Sequence, residues 1–158
     1  METRHYKKVS IEKVKIRMDL DKDIFFNNWK KIISSKAIHE LSKIIYEKEG
    51  HDINVSEMFI ALYLDRASKI IAYYVISVGG VVATVVDSRL IYAAAINCLA
   101  SSIILVHNHP SENLQPSNHD ISIKKEIKII GDIHKIQLLD FVIITTDAHY
   151  SFADEGIL

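Results

Sequence analysis

Apolar residues fall along this chain in short runs and periodic stripes separated by charged clusters, and the period of each stripe predicts an element. Val9, Ile11, Val14, Ile16 and Met18, with Lys and Arg between them, predict a strand over about 9–20. Asp21-Lys22-Asp23 then precedes an amphipathic helix predicted over about 24–49, with Ile32, Ile33, Leu41, Ile44 and Ile45 as its apolar face and Gly50 ending it. Strands are predicted at about 57–65, 70–77 and 81–86, rich in β-branched and aromatic residues. A helix near 88–100, a buried strand over 102–106, a polar loop and a helix near 118–131 follow, and strands near 138–145 and 149–152 close the chain. This alternation predicts one α/β (α+β) unit, a sheet with helices packed on it. There is no repeat, low-complexity run or flexible linker.

Two uncharged runs, Ile70 to Val86 and Leu90 to Val106, are each 17 residues long, at the short end for a membrane span. Ser77, Gly79, Gly80 and Thr84 divide the first into two strands. Asn97, Ser101 and Ser102 divide the second into a helix and a strand. No membrane partner is expected, and a polar, charged start at Met1-Glu2-Thr3-Arg4-His5 makes a cytoplasmic location the default.

Composition narrows the chemistry. A chain of 158 residues is long enough for one domain with a real core. The net charge of −1 supplies no global field toward nucleic acid or anionic membrane. A single cysteine, Cys98, excludes an internal disulfide and thiolate zinc clusters, and its apolar surroundings predict a core position. The zinc nucleobase deaminases are excluded with it, because they need a Pro-Cys-x-x-Cys element.

The densest chemistry lies in residues 107–120, His-Asn-His-Pro-Ser-Glu-Asn-Leu-Gln-Pro-Ser-Asn-His-Asp. Imidazole and carboxylate are the ligands zinc accepts where no thiolate is available. On an extended backbone His107 and His109 point to the same side, with Asn108 turned away. Pro110 favours extended backbone at His109. Ile123, Ile127 and Ile130 recur at helical spacing after Pro116, which puts Asp120 in a first helical turn, facing back toward the histidines. Three protein ligands leave a fourth position for water. Ser117-x-x-Asp120 is equally a helix start, with Ser117 as N-cap and Asp120 favoured by the helix dipole. The two readings are compatible, since a carboxylate has two oxygens.

His107-Asn108-His109-Pro110-Ser111, Pro116-Ser117 and Asp120 resemble the RadC family of bacterial JAMM/MPN-domain (JAB-like) proteins, whose pattern is an upstream Glu, then His-x-His-Pro, then Ser-x-x-Asp. Glu57, before an apolar strand ending Leu64-Asp65, falls where that Glu stands. Ser77-Val78-Gly79-Gly80, Leu138-Leu139-Asp140 and the segment from Tyr150 to Gly156 look like further family segments, so the resemblance covers residues 52–158. It divides the chain into an N-terminal extension, 1–50, and a RadC-like domain, 51–158. It implies a mixed, curved MPN sheet flanked by helices, related to the cytidine-deaminase-like fold. It also implies a zinc metallopeptidase or isopeptidase acting on a peptide or protein substrate, with Zn2+ on His107, His109 and Asp120. Glu57 would then take the proton of a metal-activated water and pass it to the leaving amine. Ser117 would donate to the tetrahedral oxyanion. Asn108 and Ser111 would hydrogen-bond within the loop to hold the ligands.

The chain departs from the family pattern in places. Phe141 stands where the family's closing strand usually has His, and Glu155 where it often has Arg. Residues 1–50 lack the Gly-containing hairpin of the helix-hairpin-helix module that longer members carry, since Gly50 is the first glycine. Two other classes of function stay open. One is a DNA-repair-associated or DNA-binding protein, supported by six Lys or Arg against two Glu over residues 1–17. The other, ranked lowest, is a non-catalytic MPN interaction module. His119 reads as a solvated residue at a helix start. His5, His39, His51, His134 and His149 are scattered without ligand spacing, and Asp65 reads as structural. Substrate identity and oligomeric state are left open by the sequence.

Overall fold

The computed structural model describes residues 34–79 and 86–158. Among these residues eight elements follow one another: α1 (Ser35–Lys48), β1 (Met58–Leu64), β2 (Ile70–Val78), α2 (Ser88–Asn97), β3 (Ser102–Asn108), α3 (Asn118–His134), β4 (Gln137–Ile144) and β5 (His149–Ser151). The strands form one mixed sheet in the order β2-β1-β3-β4-β5, an α+β architecture with three helices on it. β1 pairs antiparallel with β2 and β3, β3 pairs parallel with β4 through the α3 crossover, and β4 pairs antiparallel with β5.

The sequence of the central strands explains their place. β1 reads Met-Phe-Ile-Ala-Leu-Tyr-Leu and β3 reads Ser-Ile-Ile-Leu-Val-His-Asn, and every residue of both is buried. A strand apolar on both faces has to lie between two layers. On one face Phe59, Tyr63, Ile103, Leu105 and Phe141 pack beneath Ile91 of α2 and Ile127 of α3. On the other, Ile60, Leu62, Val106 and Val142 pack beneath Leu41, Ile45 and Tyr46 of α1. Strand alternation therefore sends His107 to the α2/α3 face and Asn108 to the α1 face.

Several boundaries differ from the sequence reading. α1 begins at Ser35, well after the predicted start, because Ser34 is extended (φ −163°) and its hydroxyl accepts from Ala37 N as an N-cap. Its buried apolar face is Ile38, Leu41, Ile45 and Tyr46, with Ile44 only half-buried. α2 stops at Asn97, where Leu99 adopts φ +56° and Ala100 N returns to Ala95 O. Cys98 is consequently half-buried at the rim of the core, not inside it. β3 runs to Asn108, two residues beyond prediction, because its parallel pairing with β4 continues to Ile144. Asp65 is structural: its Oδ1 accepts from Ala67 N and Lys69 N in the β1–β2 turn. The strand predicted over 9–20, the basic arm, Ile32, Ile33 and residues 81–85 of the predicted 81–86 strand lie outside the described residues. Among the described residues, no helix is long and apolar enough to cross a membrane.

Candidate metal centre

The end of β3, the start of α3 and the residue before β1 meet in a cleft of about 520 Å³, lined by Glu57, Phe59, His107, His109, Ser117 and Asp120 among others. β1 and β3 pair with Phe59 opposite His107, so Glu57, one residue before β1, overhangs the same end. His109 stays extended past the strand, with its N–H donating to Ile144 O at 3.1 Å. The two imidazoles stand edge to face with centroids 5.0 Å apart.

Asp120 reaches this point because α3 starts where it does. Ser117 is the N-cap: its Oγ accepts from Asp120 N (3.1 Å), while Asp120 Oδ2 accepts from Ser117 N (2.8 Å) and Ser117 Oγ (2.6 Å). This reciprocal box fixes the carboxylate with His109 Nε2 3.6 Å from Oδ2. On the other side Glu57 Oε2 lies 3.8 Å from His107 Nε2.

The His107, His109 and Asp120 ligand atoms all lie within 4.8 Å of one another, so the three could hold a metal ion. Ligands bonded at about 2.0–2.2 Å to one tetrahedral zinc sit roughly 3.5 Å apart, and the His109–Asp120 separation matches that. The second nitrogen of His109 is already occupied, since Nδ1 donates to Asn113 O at 2.6 Å. That bond leaves Nε2 as the atom facing Asp120, the arrangement typical of a metal-ligating histidine. His107 Nδ1 is buried without a hydrogen-bond partner, an uncommon cost for a protein nitrogen.

Protonation follows the environment. Burial pulls the His107 pKa down and the neighbouring His109 adds to this, against the opposing pull of Asp120 and Glu57, which favours the neutral ligating form. Burial also pulls at His109, but its hydrogen bonds to Asp120 and to the Asn113 carbonyl outweigh it and raise that pKa. Burial would raise Asp120, yet the hydrogen bonds from His109 and Ser117 hold its carboxyl down at about 2. The carboxylate is thus ionised throughout the physiological range.

The five expected site residues, Glu57, His107, His109, Ser117 and Asp120, all line this cleft. Ser111 lines it too. Asn108 does not, being fully buried on the opposite face of the sheet. The residue that secures His109 is Asn113, which the sequence reading missed. Its Oδ1 also accepts from Gln115 N two residues on, a turn Asn is suited to form, and that turn chemistry was the available signal. Phe59, its ring 5.6 Å from that of His107, floors the cleft, and Val86 and Ile123 add apolar wall. His119 is exposed at the rim.

Residues 32–157 match the RadC-like JAB domain. The chain belongs to the RadC family. It is 41% identical over 128 residues to a UPF0758 protein of Flavobacterium johnsoniae, covering 81% of this chain and 54% of that protein. A UPF0758 protein of Porphyromonas gingivalis is 43% identical over 108 residues, covering 68% and 47%. One from Streptococcus suis is 34% identical over 124 residues, covering 78% and 46%. The chain therefore spans about half the length of these curated relatives.

Proposed function

We propose that this RadC-family chain is a zinc-dependent amide hydrolase, a metallopeptidase or isopeptidase acting on a peptide or protein. The observation that carries the reading is the placement of Glu57, a carboxylate outside the His107/His109/Asp120 group, 3.8 Å from His107 over the same cleft. A structural ion pair needs no such second carboxylate at an open cleft. Hydrolysis does, because a water has to lose a proton and the leaving amine has to gain one. Bound Zn2+ would supply an acidified water and a polarised carbonyl.

The protein's own groups would do the rest. His107, kept neutral by burial, and His109, with Nδ1 occupied by Asn113 O, would each present a ring nitrogen to the ion. Asp120 contributes the charge, held in place by the capping box. Glu57 takes the proton from the attacking water and returns it to the amine nitrogen as the C–N bond breaks. Ser117 is the oxyanion donor at the cleft wall. Its hydroxyl is donated to Asp120 here, so in that role it turns from the carboxylate toward the substrate oxygen while keeping its backbone bond.

Metal analysis of the purified chain, with His109→Ala beside it, tests the centre. About one zinc per chain is expected in the parent and a trace in the variant; equal, negligible zinc in both rejects the site. Glu57→Gln then tests the chemistry. It should keep zinc and lose amide hydrolysis by ~10² to 10⁴, the usual contribution of a general base. Full activity in that variant rejects the assignment.

A further inference from the structure

Asn108 lies between the two histidines, yet it is fully buried and belongs to the α1 side of the sheet. Its carboxamide is saturated by backbone groups from one short segment. Oδ1 accepts from Met58 N at 2.6 Å. Nδ2 donates to Ile53 O at 2.7 Å and to Ser56 O at 2.8 Å. These three partners bracket Glu57: two carbonyls before it and the amide directly after it.

From these contacts we infer that Asn108 is a positioning residue for Glu57, tying the strand that carries the histidines to the segment that carries the base. This rests on the proposed hydrolytic role of Glu57. The arrangement differs from the loop-holding role that the sequence suggested for Asn108. His107 and Asn108 are adjacent on β3 and point to opposite faces, so one strand end offers a ligand on one side and sets the height of the base from the other. Other groups converge on the same segment. Tyr46 Oη donates to Met58 O at 2.5 Å, His51 Nε2 bonds Ser56 O at 2.8 Å, and Gly79 N donates to Glu57 O at 2.8 Å. Among these groups only Asn108 is covalently next to the histidines. It adds to the Phe59–His107 strand pairing a side-chain tie from the residue between the two histidines to the segment of Glu57.

Asn108→Asp is close to isosteric. It keeps an acceptor for Met58 N and places a carboxylate oxygen against the Ile53 and Ser56 carbonyls, which should push the segment away. Asn108→Ala removes the tie altogether. Tyr63→Phe is the control for lost stability, since it deletes one buried hydrogen bond (to Ile91 O, 3.0 Å) at the far end of β1. Crystal structures of all three should show Glu57 displaced by about 1 Å or more from its place 3.8 Å from His107 in the Asn108 variants only. His107, His109 and Asp120 should be unmoved, and the zinc content equal to the parent's. In hydrolysis, kcat should fall by ~10² with KM little changed, since a misplacement of about 1 Å can cost that much. The double variant Glu57→Gln/Asn108→Asp should be no slower than Glu57→Gln alone.

A Glu57 that stays in place in both Asn108 variants overturns the inference, as does additive loss in the double variant. Failure of both variants to fold overturns it as well, because Asn108 would then serve the fold and not the base. If the parent hydrolyses no amide, the hydrolytic reading fails on its own, and the Glu57 displacement still decides the positioning role.

Discussion

Asp120 closes the capping box with Ser117 and pairs with His109, and both contacts bear on its titration. Its carboxyl is held at about 2 against an ordinary 3.8, so ionisation favours the folded state. That contribution is complete above 3.8 and is lost as pH falls toward 2. His109 acts in the opposite sense: its pKa is raised, so its contribution is complete below 6.5 and is lost as pH rises through the raised value. The pair in the metal-free protein is therefore strongest in mildly acidic solution. Asp120→Asn should flatten the acid limb of a plot of denaturation midpoint against pH. In the proposed centre zinc would compete with the His109 proton, so zinc affinity should rise with pH through the neutral range. Competition with a chromophoric chelator at several pH values measures this, and a flat profile contradicts the ligand role of His109.

At the scale of elements, α3 is fixed at both ends by local chemistry. Its N-terminus is the Ser117–Asp120 box, and Ser117→Ala should cost about 1 kcal/mol of stability in urea denaturation, the usual worth of a cap. It should also weaken zinc binding, because the carboxylate loses its clamp. An unchanged zinc affinity would mean that the cap and the ligand duties of Asp120 are independent. Near its C-terminus, Gly131 lies against the returning chain: a Cβ there would sit 2.5 Å from Ile136 O and 2.9 Å from the Tyr92 hydroxyl. Gly131→Ala should therefore destabilise by roughly 1–3 kcal/mol, an overpacking cost, without changing zinc content. Denaturation and metal analysis of the same sample check both halves. Lys135 then turns the chain through φ +59°, which lets Ile136 N bond Gly131 O and starts β4.

At the scale of the whole molecule, the apolar core among the described residues uses none of the candidate metal ligands. Among the described residues, both faces of the sheet carry apolar side chains of the helices, and the candidate centre lies at the end of the central strands β1 and β3, beside the core. Chelation should thus leave the far-ultraviolet circular dichroism unchanged, and adding zinc should raise Tm by binding linkage. Unfolding on chelation, the behaviour of small zinc modules, would contradict this. The mixed sheet also explains how distant segments meet. Antiparallel pairing of β1 with β3 brings Glu57 to His107, and the loop between β3 and α3 returns Asp120, in the first turn of α3, to the end of β3.

Much of this was legible along the chain. Apolar patterning located β1, β2, β3, α3 and β4, with β1 and β3 as runs buried throughout, and spacing grouped His107, His109 and Asp120, since an extended pair and a first helical turn are local geometries. Glu57 was legible only through the family pattern, because fifty residues separate it from His107 and no local rule joins them. The start of α1 at Ser35, the rim position of Cys98 and the reach of β3 to Asn108 were decided by packing and pairing partners far away in sequence. Asn108 shows the division most clearly. The sequence determined that it must turn away from its neighbouring histidines, because strand side chains alternate. Only the tertiary structure decided what it meets there, because the three backbone groups it holds come from a segment that β1–β3 pairing carries to its side.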